Sequence, residues 1–206
     1  MPTVAPVTKV DKCRKQEANV IIHGAHIGES KDHAMEIATE KGYQYINGYD
    51  HVDILSGAGT MGLEILDAIP DVDAILVPVG GGGLIAGIAT AVKTLNPSVQ
   101  VIGVEPARCA SLTAALKAGK PVPADVTSTL ADGLAVPVVG GNSFKVAQRL
   151  VDKVVCVDDK SVALAVLRLL EDERRIVEGA GAAGLAALCQ GLLPELKGKK
   201  VVIPLC

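Results

Sequence analysis

Residues 77–87 read Val-Pro-Val-Gly-Gly-Gly-Gly-Leu-Ile-Ala-Gly, an apolar block that runs into four consecutive glycines and then into a helical pattern. Without Cβ atoms, Gly80, Gly81, Gly82 and Gly83 let the backbone turn several N–H groups towards one point. A helix opening at Leu84 adds unsatisfied amides and its positive dipole end. That combination is a cradle for a phosphate group. The loop holds no Lys or Arg and no Walker-type Lys-Ser/Thr pair, so neutralisation rests on amides and dipole, which suits an anchored phosphate better than a transferred one. A tight strand-to-helix turn also uses glycine, but a run of four goes beyond its need. A second reading uses the same residues: Gly81-x-Gly83-x-x-Ala86 fits the relaxed dinucleotide fingerprint, with Glu105 at a strand end 22 residues after Gly83. Spacing alone leaves both readings open.

Other candidate groups carry weaker signals. His23-x-x-His26 has no acidic or Cys partner at ligand spacing and reads as a loop histidine pair. His33 falls on a charged helix and His51 in a loop. Cys13, Cys109, Cys156, Cys189 and Cys206 are widely spaced and lack any CxxC, so neither a disulfide framework nor a zinc site is legible, and a reducing, cytoplasmic setting is expected. Met1–Lys9 has no apolar core of a signal peptide. A net charge of -3 with 2% aromatic residues offers no phosphate-neutralising or base-stacking surface, which argues against nucleic acid.

The elements that must position the loop are short and alternate. Apolar blocks at Val20–Ile22, Tyr43–Ile46, Ala74–Val79, Val99–Val104, Val154–Val157 and Val201–Leu205 read as strands buried on both faces. Between them the pattern predicts helices over Gly28–Lys41, Ile54–Ile69, Leu84–Leu95, Cys109–Lys117, Ser143–Val151, Ser161–Ile176 and Gly179–Leu192. Ser161 is placed to cap its helix, and Asn96-Pro97 stops the helix before it. The small-residue helix from Gly179 is expected to be deeply packed. The charge-free run Ala74–Val92 contains Pro78 and the glycines, so it reads as strand, loop and helix rather than a membrane span. An α/β fold follows, with a mostly parallel twisted sheet and helices on both faces.

The tetraglycine loop occurs in order with Ser56-Gly57-Ala58-Gly59-Thr60, Val104-Glu105-Pro106, Leu130-Ala131-Asp132-Gly133-Leu134 and Val177-Glu178-Gly179. This set resembles the pyridoxal-phosphate-dependent serine/threonine dehydratases and serine racemases over essentially the whole chain, most closely the L-threonine dehydratases. The resemblance implies a fold-type II, tryptophan-synthase-β-like enzyme. Residues 1–48 would belong to the smaller domain and 49–206 to the larger, cofactor-binding one. It implies that Gly80 to Gly83, with Leu84, hold the cofactor phosphate, that Gly133 faces the phenolic oxygen and that Glu178 lines the site. Cys206 would face the pyridine nitrogen, where a neutral partner favours elimination over transamination. It further implies a divalent cation, Mg2+ or Ca2+, at Glu105, the Cys109 carbonyl and Ser111, although racemases carry an aspartate in place of Ser111. The bland alternative is a Glu105 that caps a strand end or pairs with a basic neighbour.

Two family motifs have no counterpart in these residues: the cofactor lysine in Ser-Phe-Lys-x-Arg-Gly-Ala, and the substrate-carboxylate loop Ser-x-Gly-Asn. Ser143-Phe144-Lys145 repeats three letters, but it opens an amphipathic helix far downstream, where a lysine is expected to be solvated. The chain therefore reads as an internal segment of a longer enzyme, a cytoplasmic homodimer acting on a small amino acid. A nicotinamide-dependent oxidoreductase, a serine racemase and a non-catalytic binding scaffold are the alternatives.

Overall fold

The computed structural model describes all 206 residues as two compact units, Met1–Ile46 and Asn47–Cys206. The first unit holds helices α1 (Val7–Lys15) and α2 (Ile27–Lys41). Helix α1 escapes the sequence pattern because it is polar nearly all round and buries only Val10. The two predicted strands of this unit, Val20–Ile22 and Tyr43–Ile46, do not form. A strand needs a ladder partner, and the first of them meets only Met1–Thr3: the Met1 amino group donates to Ile21 O at 2.6 Å and His23 N–H donates to Met1 O at 2.9 Å. Tyr43 and Ile46 are left largely exposed. The His23 ring stacks on His33 with centroids 4.0 Å apart, while His26 Nδ1 caps α2 by accepting the Glu29 N–H.

The second unit runs α3 (Val52–Ala68), β1 (Ala74–Pro78), α4 (Gly83–Leu95), β2 (Gln100–Pro106), α5 (Ser111–Ala118), α6 (Gly141–Leu150), β3 (Lys153–Val157), α7 (Asp159–Glu171), α8 (Gly179–Cys189) and β4 (Val201–Val202). The strands form one all-parallel sheet in the order β3-β2-β1-β4. Side chains alternate across it, as a period of two requires. Ala74, Leu76, Ile102 and Val104 join α7 and α8 in one core, whereas Ile75, Val77, Val79, Val99 and Val101 join α4, α5 and α6 in the other. Both faces are covered, which is why the strands read as unbroken apolar runs.

Both boundaries of α7 differ from the pattern, and β4 and α8 stop at Val202 and Cys189, short of the expected Leu205 and Leu192. Helix α7 is capped by Asp158, whose carboxylate accepts the Ser161 N–H at 2.7 Å, so Ser161 lies inside the helix rather than at its cap. The same helix ends at Glu171 instead of Ile176, where the charged Asp172–Arg175 run leads Arg174 into the left-handed region at φ 56°. Helix α8 is buried almost entirely through Ala and Gly, as its composition requires. No helix is long and apolar enough to cross a membrane.

Helices α3 and α4 cross at backbone contact. A Cβ on Gly87 would lie against Leu55 O and 2.6 Å from Gly59 N, whereas one on Gly57, also within α3, would meet nothing within 4 Å. Overpacking costs roughly 1–3 kcal/mol, while Gly to Ala in a helix gains up to about 1 kcal/mol. Gly87→Ala is therefore expected to destabilise the fold by about 1 kcal/mol or more and Gly57→Ala to stabilise it slightly, as read by urea denaturation; the same sign for both would refute the close crossing.

Candidate functional site

Strand order makes the site. From β1 the chain steps through β2 to β3 on one side, then returns to place β4 on the other side of β1. Such a switch point opens a crevice at the carboxyl ends of the strands. The two segments leaving those ends are Val79–Gly83, after β1, and Ile203–Cys206, after β4.

Gly82 is the N-cap of α4 at φ +89°, a left-handed conformation that favours glycine. The first helical hydrogen bond runs from Ala86 N–H to Gly82 O at 3.0 Å, which leaves the amides of Gly83, Leu84 and Ile85 ahead of the ladder. Each glycine is also demanded by a neighbour. A Cβ on Gly80 would lie 3.2 Å from Leu134 Cα, one on Gly81 would strike the Tyr49 ring, and one on Gly83 would stand 2.5 Å from Tyr49 O.

The Tyr49–Asp50 segment carries no signal in the sequence pattern. Ser143 Oγ–H donates to Tyr49 O at 2.8 Å, Asn142 Nδ2 donates to Asp50 O at 2.9 Å, and the Asp50 carboxylate accepts Ser143 N–H at 2.9 Å. Asp50 thus caps α6, whose own N-cap Gly140 has no side chain to do so. Ser143 is buried by these contacts. Lys145 lies instead in a groove lined by α3, α4 and α6, beside Ser56, Thr60 and Thr90.

Leu134, against Gly80, leads to the other candidates. A Cβ on the adjoining Gly133 would sit 3.2 Å from Ala180 Cβ and 3.5 Å from Glu178 Oε1. Glu178 is the N-cap of α8, and one turn on, a Cβ on Gly181 would come 2.5 Å from Cys206 O. The Cys206 thiol is pushed above its ordinary value by burial and then by the Glu178 charge, so it keeps its proton at neutral pH. Gly80, Gly133, Glu178 and Cys206 are thereby linked around the crevice. Neutral amides, a carboxylate and a thiol lie on the segments so linked, and the chemistry of that set fits a phosphorylated heteroaromatic cofactor.

Glu105, Cys109 and Ser111 are drawn together differently. Glu105 is fully buried, with Oε1 accepting Leu112 N–H at 2.6 Å and Oε2 accepting Thr113 N–H at 2.9 Å and Thr113 Oγ1–H at 2.7 Å. Burial pushes its carboxyl up, and the Thr113 and Leu112 donors pull it back. Ser111 Oγ–H points to Gly80 O at 3.4 Å, and Cys109 Sγ–H points to Val136 O at 3.3 Å. With one carboxylate already turned to three hydrogens, and a hydroxyl where a second anion is needed, this set does not fit a hard divalent cation.

A parallel α/β sheet with an uncharged glycine loop opening a helix at its switch point is an arrangement suited to anchoring a cofactor phosphate. The chain belongs to the family of pyridoxal-phosphate dependent enzymes, whose model matches residues 1–206. It is 44% identical over 203 residues to the L-threonine ammonia-lyase of Geobacter sulfurreducens, covering 98% of this chain and 50% of that one. The L-threonine ammonia-lyase of Thermotoga maritima is 40% identical with the same coverage. The chain thus spans about half the length of these curated relatives. Among solved structures, the processed threonine deaminase isoform 2 of Solanum lycopersicum superposes with a TM-score of 0.89 at 36% identity, over 98% of this chain and 59% of that one. Maize serine racemase gives a TM-score of 0.89 at 31% identity, covering 98% and 63%. The fold is that of the fold-type II enzymes, and the family match sets the dinucleotide reading of the glycine loop aside.

Burial, followed by the Glu105 charge, pushes the Cys109 thiol up to about 11. The raised value means that the neutral thiol is the form the fold favours, so its contribution to stability is complete below about pH 8.5 and is lost as pH climbs through 11. Cys109 is expected to resist alkylation at pH 8 until the chain unfolds, and Cys109→Ala should flatten the alkaline fall in stability. Peptide mass mapping that finds Cys109 labelled in the native protein would contradict this.

Proposed function

We propose that this chain is the cofactor-holding part of an ammonia-lyase that converts L-threonine or L-serine into a 2-oxo acid and ammonia. The observation that carries the reading is the amide cradle Gly80–Leu84 linked to Gly133, Glu178 and Cys206, in a chain 44% and 40% identical to two proteins named L-threonine ammonia-lyase. In the intact enzyme, residues of the first unit would belong to the smaller domain, and the assembly would be a cytoplasmic homodimer.

When bound, pyridoxal phosphate supplies an electron sink for charge developing at the substrate α-carbon. The amides of Gly80–Gly83 and Leu84 would hold its phosphate, with the α4 dipole favouring the dianion. Gly133 would present backbone, free of any side chain, to the cofactor edge. Cys206, holding its proton beside Glu178, would offer the pyridine nitrogen a neutral partner, which leaves the sink weak and favours loss of the β-hydroxyl over transamination. With amides and the α4 dipole as its only partners in the loop, a bound phosphate would have its charge state as well as its position set by Gly80–Leu84.

The lysine of the related dehydratases has no counterpart in the cradle, since Lys145 lines the α3–α4–α6 groove. The 206-residue chain is therefore expected to release no 2-oxobutanoate or pyruvate from L-threonine or L-serine; steady release abolished by Lys145→Ala would overturn this. Gly81→Val and Gly82→Val are expected to weaken pyridoxal phosphate binding, read by fluorescence titration, by about 2 kcal/mol or more, because a side chain strikes Tyr49 or resists positive φ. An unchanged dissociation constant would make the glycines structural only.

A further inference from the structure

We propose that Glu105 and Thr113 are positioning residues for the glycine loop, locking the start of α5 so that it holds Gly80, with directed hydrogens taking the place of a cation. The link to a bound phosphate rests on the function proposed above; the link to the loop does not.

Helix α5 begins after Ala110, whose methyl side chain cannot cap it. Its second and third residues, Leu112 and Thr113, give their N–H groups to Glu105, which lies on β2 and is fully buried. The Thr113 hydroxyl adds a third donor at 2.7 Å. A strand carboxylate thus performs from outside what an N-cap side chain performs from within, and an anion at a helix N-terminus is favoured by the dipole. These short, charge-assisted bonds fix α5 to the sheet.

The residues just ahead of them face the site. Ser111 reaches Gly80 O through a long hydrogen bond of 3.4 Å, and Cys109 reaches Val136 O at 3.3 Å. Gly80 and Val136 are neighbours, with a Cβ on Gly80 coming to 3.3 Å from Val136 Cγ2. The start of α5, the first glycine of the loop and the segment after Leu134 therefore close a ring of contacts, and Glu105 holds its α5 corner. A divalent cation at this place would compete with the amide and hydroxyl hydrogens for the same two oxygens.

The test uses the ¹⁵N-labelled 206-residue chain. Thr113→Val removes the hydroxyl at constant shape, Thr113→Ser retains it, and Ser111→Ala cuts the link to Gly80. Thr113→Val and Ser111→Ala are expected to move the amide resonances of Gly81–Gly83 and to weaken pyridoxal phosphate binding roughly three- to tenfold, with Thr113→Ser within about twofold of the parent. Addition of about 5 mM MgCl₂ or CaCl₂, or about 50 µM MnCl₂, should neither shift nor broaden Leu112 and Thr113. Loss of melting temperature with unmoved Gly81–Gly83 resonances would reduce Thr113 to a structural role and overturn the proposal. Cation-induced shifts or broadening confined to Leu112 and Thr113 would overturn it equally. If the parent chain binds no pyridoxal phosphate, the proposed function loses its support, while the Gly81–Gly83 resonances still decide the positioning role.

Discussion

Across Gly80–Gly83, neighbouring side chains and backbone occupy the space that side chains of the loop would take. Tyr49 stands against Gly81 and Gly83, Leu134 and Val136 against Gly80, and Val139 with Ser143 against Gly82. This mutual exclusion makes the loop dense rather than floppy. It also explains why four glycines are needed where a turn alone would need one. Every other feature of the site follows from the requirement that these segments arrive together. Asp50 caps α6, and that cap brings Ser143 to Tyr49 and so to the loop.

The sheet supplies the convergence. In a parallel sheet all carboxyl ends point one way, and the order β3-β2-β1-β4 leaves β1 and β4 adjacent while their chains diverge. Burial on both faces anchors the strands, so the loops inherit a rigid base. Helix α8 lies close enough to the last segment for Gly184 to meet Ile203 and Gly181 to meet Cys206, which ties the carboxylate at its N-terminus to the end of β4.

Much of this was legible in the residues, and the exceptions have definite causes. The buried strands and amphipathic helices of the second unit advertise themselves through apolar blocks and helical spacing. Val20–Ile22 and Tyr43–Ile46 have the same composition, but a strand exists only with a ladder neighbour, and composition does not show one. Helix α1 hides because it buries almost nothing. Asp158 rather than Ser161 caps α7 because both can accept, and the choice falls to whichever residue the backbone leaves extended. The glycine loop stands out by its own chemistry, whereas Gly133, Glu178 and Cys206 become candidates only through the resemblance to a family. Tyr49 and Asp50 gave no signal, because their partners lie more than ninety residues away in the chain.

A cradle with no Lys or Arg also has a consequence for how a ligand arrives and stays. Hydrogen bonds from amide dipoles act over a few ångströms, well inside a Debye length of roughly 8 Å at physiological ionic strength, so dissolved ions hardly screen them. Approach is another matter, because a dianion nearing a chain of net charge -3 meets mild repulsion and finds no cationic side chain in the loop to steer it. If the loop holds a phosphate, added salt would therefore leave the grip nearly untouched and quicken the capture, opposite to what a lysine- or arginine-built phosphate site experiences.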